Sequence, residues 1–231
     1  KFNFADVNTG PVVTIETPTP LENAYVKGII TSRALATDDR AMGSYYLRYW
    51  KGAFESGIEN LVHGCQEAPG AELLGASLDR TCTYDTRTNS DGVYVFSAQF
   101  LDSDTTWGSA LRTFKVDNTK PVVTLENEPS ETVFRSDSID FEIKATDNFA
   151  LKNVVGHIYK NGLLFDNNSK NILGESTEDT FTVDISSLND GEYALRYNAS
   201  DKAGNIATTK TFNFVVDNTA PETPVHESPA D

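Results

Sequence analysis

One phrase occurs three times, and its spacing sets how many folding units the chain contains. "VDNTAP" stands at residues 216–221, "VDNTKP" at 116–121, and the variant "DVNTGP" at 6–11. The flanks agree too: "KFNFADVNTGPVVTIE" opens the chain, "FKVDNTKPVVTLE" lies in the middle, and "TFNFVVDNTAP" comes near the end. A fixed period of this kind marks tandem units. Interior anchors keep the same order. "ATDD" at 36–39 answers "ATDN" at 145–148, and "TYDTRTNSDGVY" at 83–94 answers "TVDISSLNDGEY" at 182–193. A chain of 231 residues has room for two such units, each able to bury a core of its own. The expected division is a first domain over 1–117, a second over 118–220, and a Pro-rich linker towards a further domain over 221–231. Because Lys1 falls inside a repeat copy, the chain is expected to be a piece of a longer protein.

Within each copy the pattern is that of strands. "SIDFEIKAT" alternates Ile139, Phe141, Ile143 and Ala145 with Asp140, Glu142 and Lys144, a period of two. "EYALRYNAS", "TKTFNFVV" and "VYVFSAQF" repeat that alternation, and "KNG", "NDG" and "SDG" supply turns between runs. No segment has three turns of helical periodicity. About seven short strands in about one hundred residues describe an immunoglobulin-like β-sandwich. The fold class is therefore all-β, two tandem immunoglobulin-like sandwiches. Tyr193, just after the "NDG" turn, fits the tyrosine corner of such sandwiches, where a hydroxyl ties back to nearby backbone.

With its "VDNTxP" joints and its "ATDN" and "SDKAGN" loops, the chain resembles the bacterial immunoglobulin-like repeats of very large surface proteins. Adhesins, stalks and surface-layer proteins carry such arrays, which are cadherin-like in organisation. The resemblance implies an extracellular setting, at the bacterial surface or secreted, with neighbouring repeats of the same chain as first partners. Other copies in a lattice, or a surface ligand, are further partners it implies. The first domain departs from the pattern: "FLDSDTTWGS" replaces the "SDKAGN" type of loop, and residues 55–78 form a longer, Gly-rich middle.

Acids are placed non-randomly along this pattern. In an immunoglobulin-type sandwich, strand A enters at the end to which the B–C and F–G loops return. For the second domain that end receives Asp117, Asn118 and Thr119 from the entry, Asp147 and Asn148 from B–C, and Asp201 and Asn205 from F–G. For the first it receives Asn8, then Asp38 and Asp39, then Asp102 and Asp104. Calcium takes six to eight oxygen ligands of these types, and converging carboxylates repel one another without a cation between them. The placement predicts calcium at both poles, stiffening the joints. The alternative is that these residues serve only as Asx-turn formers. "DSDTTWG" is no EF-hand loop, since Gly is absent from its sixth position.

Other classes are disfavoured. A net charge of −15 opposes nucleic-acid binding, which rests on neutralised phosphates. No apolar run reaches the roughly 20 residues of a membrane helix. His63, His157 and His226 are isolated, and no nucleophile elbow, zinc-protease or phosphate-loop motif occurs, so no enzyme is expected. The expected role is a structural spacer or lattice unit. An adhesin or carbohydrate-binding module is the alternative, for which "YYLRYW" at 45–50 offers either a sugar platform or core. Of the two cysteines, Cys82 stands where the second domain has Phe181, an inward position, and Cys65 is the only residue able to reach it covalently. A Cys65–Cys82 disulfide is expected, two separate buried thiols being the alternative.

Overall fold

The computed structural model describes residues 8–54, 57–67, 75–137 and 139–224. His226 and most of the Pro-rich tail lie outside the described residues. The chain divides into two units, Lys1–Thr119 with Lys202–Asn205, and Lys120–Asp201 with Ile206–Asp231.

Among the described residues the first unit holds eight strands: β1 (Val12–Glu16), β2 (Tyr25–Val26), β3 (Ile29–Thr37), β4 (Met42–Lys51), β5 (Leu61–Glu67), β6 (Ser77–Asp85), β7 (Gly92–Asp102) and β8 (Trp107–Val116). They form a three-stranded sheet, β1-β3-β6, and a five-stranded sheet, β2-β8-β7-β4-β5. The second unit repeats the scheme with β9 (Val122–Leu125), β10 (Val133–Phe134), β11 (Phe141–Thr146), β12 (Leu151–Lys160), β13 (Leu163–Asn171), β14 (Glu178–Val183), β15 (Gly191–Asp201) and β16 (Lys210–Val216). Its sheets are β9-β11-β14 and β10-β16-β15-β12-β13. Each unit is an immunoglobulin-like sandwich, and the duplication seen in sequence is a duplication of strand order. In both, the first strand switches sheets, its second piece pairing in parallel with the last strand.

Period-two patterning explains the faces. In β11, Phe141, Ile143 and Ala145 are buried while Glu142 is exposed and Lys144 pairs with Glu178 at 3.0 Å. The β12–β13 hairpin turns on Asn161 and Gly162, both at positive φ (53° and 77°), the two-residue turn whose twist matches the strands. Phe141 and Phe214 meet edge to face at 4.9 Å in the core of the second unit, with Ile143, Leu151, Val154 and Leu195 around them. The first core is centred on Tyr49, which lies among Tyr84, Phe96 and Phe114. Glycine is required where the entering strand meets the last one. A Cβ on Gly108 at the start of β8 would sit 1.8 Å from the Pro11 carbonyl oxygen, so its absence lets the entering strand lie close.

The tyrosine corner is present in both units. Tyr193 donates to the Asn189 carbonyl at 2.9 Å, and Tyr94 donates to the Ser90 carbonyl at 2.6 Å. The cysteines form a bridge with Cα atoms 5.7 Å apart. Cys65 lies on β5, opposite Leu47, and Cys82 on β6, opposite Ser32. The bridge thus ties the edge strand of one sheet to the edge strand of the other. Cys65 belongs to a regular strand within the longer, Gly-rich middle of this domain.

Candidate functional site

The two entry poles differ in how they manage charge. In the first unit, Asp102 is buried at the end of β7, and its Oδ1 accepts backbone N–H bonds from Asp104 at 2.9 Å and Thr106 at 2.7 Å. Asn8 donates from Nδ2 to Thr106 Oγ1 at 2.7 Å, and the Ser103 N–H donates to the Ala41 carbonyl at 2.8 Å. Entry, B–C and F–G segments therefore meet, as the strand order requires. Arg40 then enters the cluster: its guanidinium pairs with Asp104, while Asp38 Oδ1 accepts the Arg40 N–H at 2.8 Å. Burial pushes the Asp102 carboxyl up. The Thr106 N–H, the Asn8 amide, the Asp104 N–H and the Arg40 charge outweigh that effect, and the group settles below its ordinary value. Asp39 is exposed. Among the described residues, Asp38, Asp102 and Asp104 do not bring three carboxylate oxygens within 4.8 Å of one another.

The second unit has Phe149 where the first has Arg40, so no basic residue stands at that position. Asp147 begins the B–C loop, its Oδ1 accepting from the Phe149 and Ala150 N–H groups at 3.0 Å each. Its Oδ2 is buried and accepts no hydrogen bond among the described residues. Asp201, fully buried, ends β15, and its carboxylate lies within 4.8 Å of that of Asp147. Asn148 is exposed. Asn205, counted with the first unit, donates from Nδ2 to the Asp117 carbonyl at 2.9 Å, and Asp117 is fully buried.

Asn118 does other work than the ligand role expected from its position. Its Oδ1 accepts from the Gly28 N–H at 2.9 Å and from Thr86 Oγ1 at 3.2 Å, its Nδ2 donates to the Thr86 carbonyl at 3.3 Å, and its own N–H donates to Asp91 Oδ1 at 2.8 Å. Thr119 Oγ1 donates to Asp91 Oδ2 at 2.6 Å. The second unit copies the arrangement. Asn218 Oδ1 accepts from the Ser136 N–H and Oγ, Asn218 N–H donates to Asp190 Oδ1 at 2.6 Å, and Thr219 Oγ1 donates to Asp190 Oδ2. The repeated "DNT" therefore locks the end of each last strand to the aspartate of that unit's own "DG" turn. Sequence reading missed Asp91 and Asp190 as partners, although each precedes its Asn by a similar interval, 27 residues in one copy and 28 in the other.

A pH dependence follows from the lock. The Thr219 hydroxyl and the Asn218 N–H hold the Asp190 carboxyl below its ordinary value of 3.8. A folded value lower than the unfolded one gives stability that is present above the unfolded value and lost as pH falls through the folded one. Asp190→Asn should therefore weaken the second unit at neutral pH, and its deficit against wild type should shrink at about pH 2.5. Urea unfolding followed by circular dichroism at both pH values measures this.

Beyond these poles, His63 stacks on Tyr84 with centroids 5.5 Å apart, and its Nε2 lies 3.9 Å from Cys65 Sγ. The sulfurs there are committed to the disulfide. No helix among the described residues is long and apolar enough to cross a membrane.

Residues 119–218 match the family model of the bacterial Ig-like domain. No curated protein matches the chain. Among solved structures, the fibronectin(III)-like modules of Clostridium thermocellum CbhA are 16% identical, covering 94% of this chain and 100% of that one, at a TM-score of 0.42. A tetra-tandem repeat from the extending region of a large adhesion protein is 21% identical, covering 91% of this chain and 50% of that one, at 0.41. A 1.5-MDa bacterial ice-binding adhesin is 16% identical, with 92% and 67% covered, at 0.37. The stretch that is similar to the bacterial Ig-like domain, residues 119–218, forms a sandwich whose strand order is the one expected.

Proposed function

We propose that the chain is a non-enzymatic structural repeat segment of a large extracellular bacterial surface protein, and that its second sandwich binds calcium at the entry pole. Its partners are the neighbouring repeats. The observation that carries the calcium reading is the pairing of Asp147 and Asp201. Two carboxylates lie within 4.8 Å, one fully buried and the other with a buried oxygen that accepts no hydrogen bond among the described residues. Burying charge in this way is costly unless a cation compensates it. The donor set is all oxygen, which suits calcium, and backbone carbonyls or water would complete its six to eight ligands. Asp117, which the sequence supplies at the entry to this sandwich, is the third carboxylate we assign. At the first pole Asp102 Oδ2 and Asn8 Oδ1 are likewise buried and accept no hydrogen bond among the described residues, but Arg40 brings a positive charge there, so that pole is proposed to hold together without metal.

Calorimetric melting tests the reading. Calcium at about one hundred times its Kd should stabilise the second unit by about 2.7 kcal/mol over chelator-treated protein. The first unit's transition should stay in place. Identical melting with calcium and with chelator would remove the metal from the account.

A further inference from the structure

The first sandwich carries a surface that its duplicate lacks. On the outer face of the five-stranded sheet, Tyr46 on β4 stacks against Trp107 on β8, with centroids 5.6 Å apart and planes at 27°. Trp107 is 47% exposed. The Arg48 guanidinium lies 3.8 Å from the Tyr46 ring centroid. Gln99, opposite Tyr46 on β7, completes a depression of about 360 Å³ lined by these four side chains. Further amide and hydroxyl groups flank it, exposed Gln66 opposite Tyr46 and Ser109 opposite Gln99. By the same registers, the second sandwich has Val155, His157 and Asn198 where the first has Tyr46, Arg48 and Gln99.

We propose that this face binds a glycan through a sugar ring that carries a carboxylate. The exposed Trp107 ring, backed by half-buried Tyr46 and flanked by amides, suits the apolar face and the hydroxyls of a sugar. Arg48 selects the charge. The chain has 34 acidic against 19 basic residues, yet among the described residues the Arg48 guanidinium has no carboxylate partner. Its planar fork matches a carboxylate through two parallel bonds. A net charge of −15 repels dense polyanions, which favours a mostly neutral oligosaccharide with one acidic sugar. The inference does not depend on calcium at the other site.

Titration of the whole chain with 3′-sialyllactose, with a glucuronate-terminated disaccharide and with lactose tests this, read by tryptophan fluorescence and calorimetry. At least one acidic sugar is expected to bind saturably, about tenfold or more tighter than lactose. Trp107→Ala should abolish binding, and Arg48→Gln should bring the acidic sugar down to the lactose affinity. Circular dichroism melts of both variants establish that they are folded. The proposal is overturned if neither acidic sugar binds, if lactose binds as well as they do, or if both variants bind like wild type. A Trp107-dependent dimer in sedimentation, with no sugar binding, would assign the face to a second copy instead.

Discussion

Tyr49→Ala is expected to cost the first unit about 3–5 kcal/mol, the range for deleting a large buried aromatic. Tyr49 is fully buried on β4, with Tyr84 and Phe96 at centroid distances of 5.0 and 5.1 Å and Phe114 at 6.2 Å. Truncation empties the middle of that cluster, and strands held on both sides by ladder bonds cannot collapse to refill it. The hydroxyl adds a second effect. It donates to the Cys82 carbonyl at 2.9 Å, and burial pushes its pKa up to about 12, so it stays a neutral donor. Tyr49→Phe keeps the ring and removes only this hydrogen bond, which should cost about 0.5–1.5 kcal/mol. Both tryptophans, Trp50 and Trp107, lie in the first unit, so tryptophan fluorescence in denaturant reports that unit alone. The second unit, followed by circular dichroism, should unfold as in wild type.

Removing the disulfide should be nearly as damaging. A bridge closing a loop of 17 residues stabilises by about 3 kcal/mol in the chain-entropy model. Here it also joins two edge strands, β5 and β6, that belong to different sheets. Edge strands are held by one ladder each, so this rim of the sandwich has little else to keep it closed. The duplicate manages without a bridge by placing Phe181, packed against its core, where Cys82 stands. Cys65→Ser with Cys82→Ser should therefore lower the stability of the first unit by about 3 kcal/mol and leave the second unchanged. Non-reduced, denatured wild type should take up no thiol label. Two labels per chain would show that the bridge is absent in solution.

Much of the architecture was legible because it rests on short-range rules. Period-two alternation gave the strands of each unit, "KNG" gave the hairpin at Asn161 and Gly162, and the Tyr after each "DG" gave the corner. The meeting of Asp102 with the B–C loop followed from strand order alone. What escaped was the direction of side chains at the joints. Asn118 sits at the start of the second repeat in sequence, yet its amide turns back to Gly28 and Thr86 of the first unit. Sequence position names a neighbour along the chain, whereas a strand end carries its side chains to either face. The "DG" turns were read through their glycines alone, which hid the acceptor role of Asp91 and Asp190. The role of Arg40 was hidden for a similar reason. Its pairing with Asp104 spans 64 positions and depends on two loops meeting. "YYLRYW" proved to be divided: Leu47 and Tyr49 face the core, while Tyr46 and Arg48 face outward. Trp50 also lies on the outward side, but it is buried beneath Phe54 and donates to Ser97.

Calcium titration into chelator-stripped protein tests the central claim most directly, with Asp147→Asn and Asp201→Asn measured beside wild type. Asparagine at 147 keeps the Oδ1 acceptor for the Phe149 and Ala150 N–H groups and removes only the charge, so a change in affinity reports the metal and not the turn. The account predicts saturable binding of one calcium per chain, weakened about tenfold or more by either substitution. Absence of binding heat, or affinities that neither substitution alters, would contradict it.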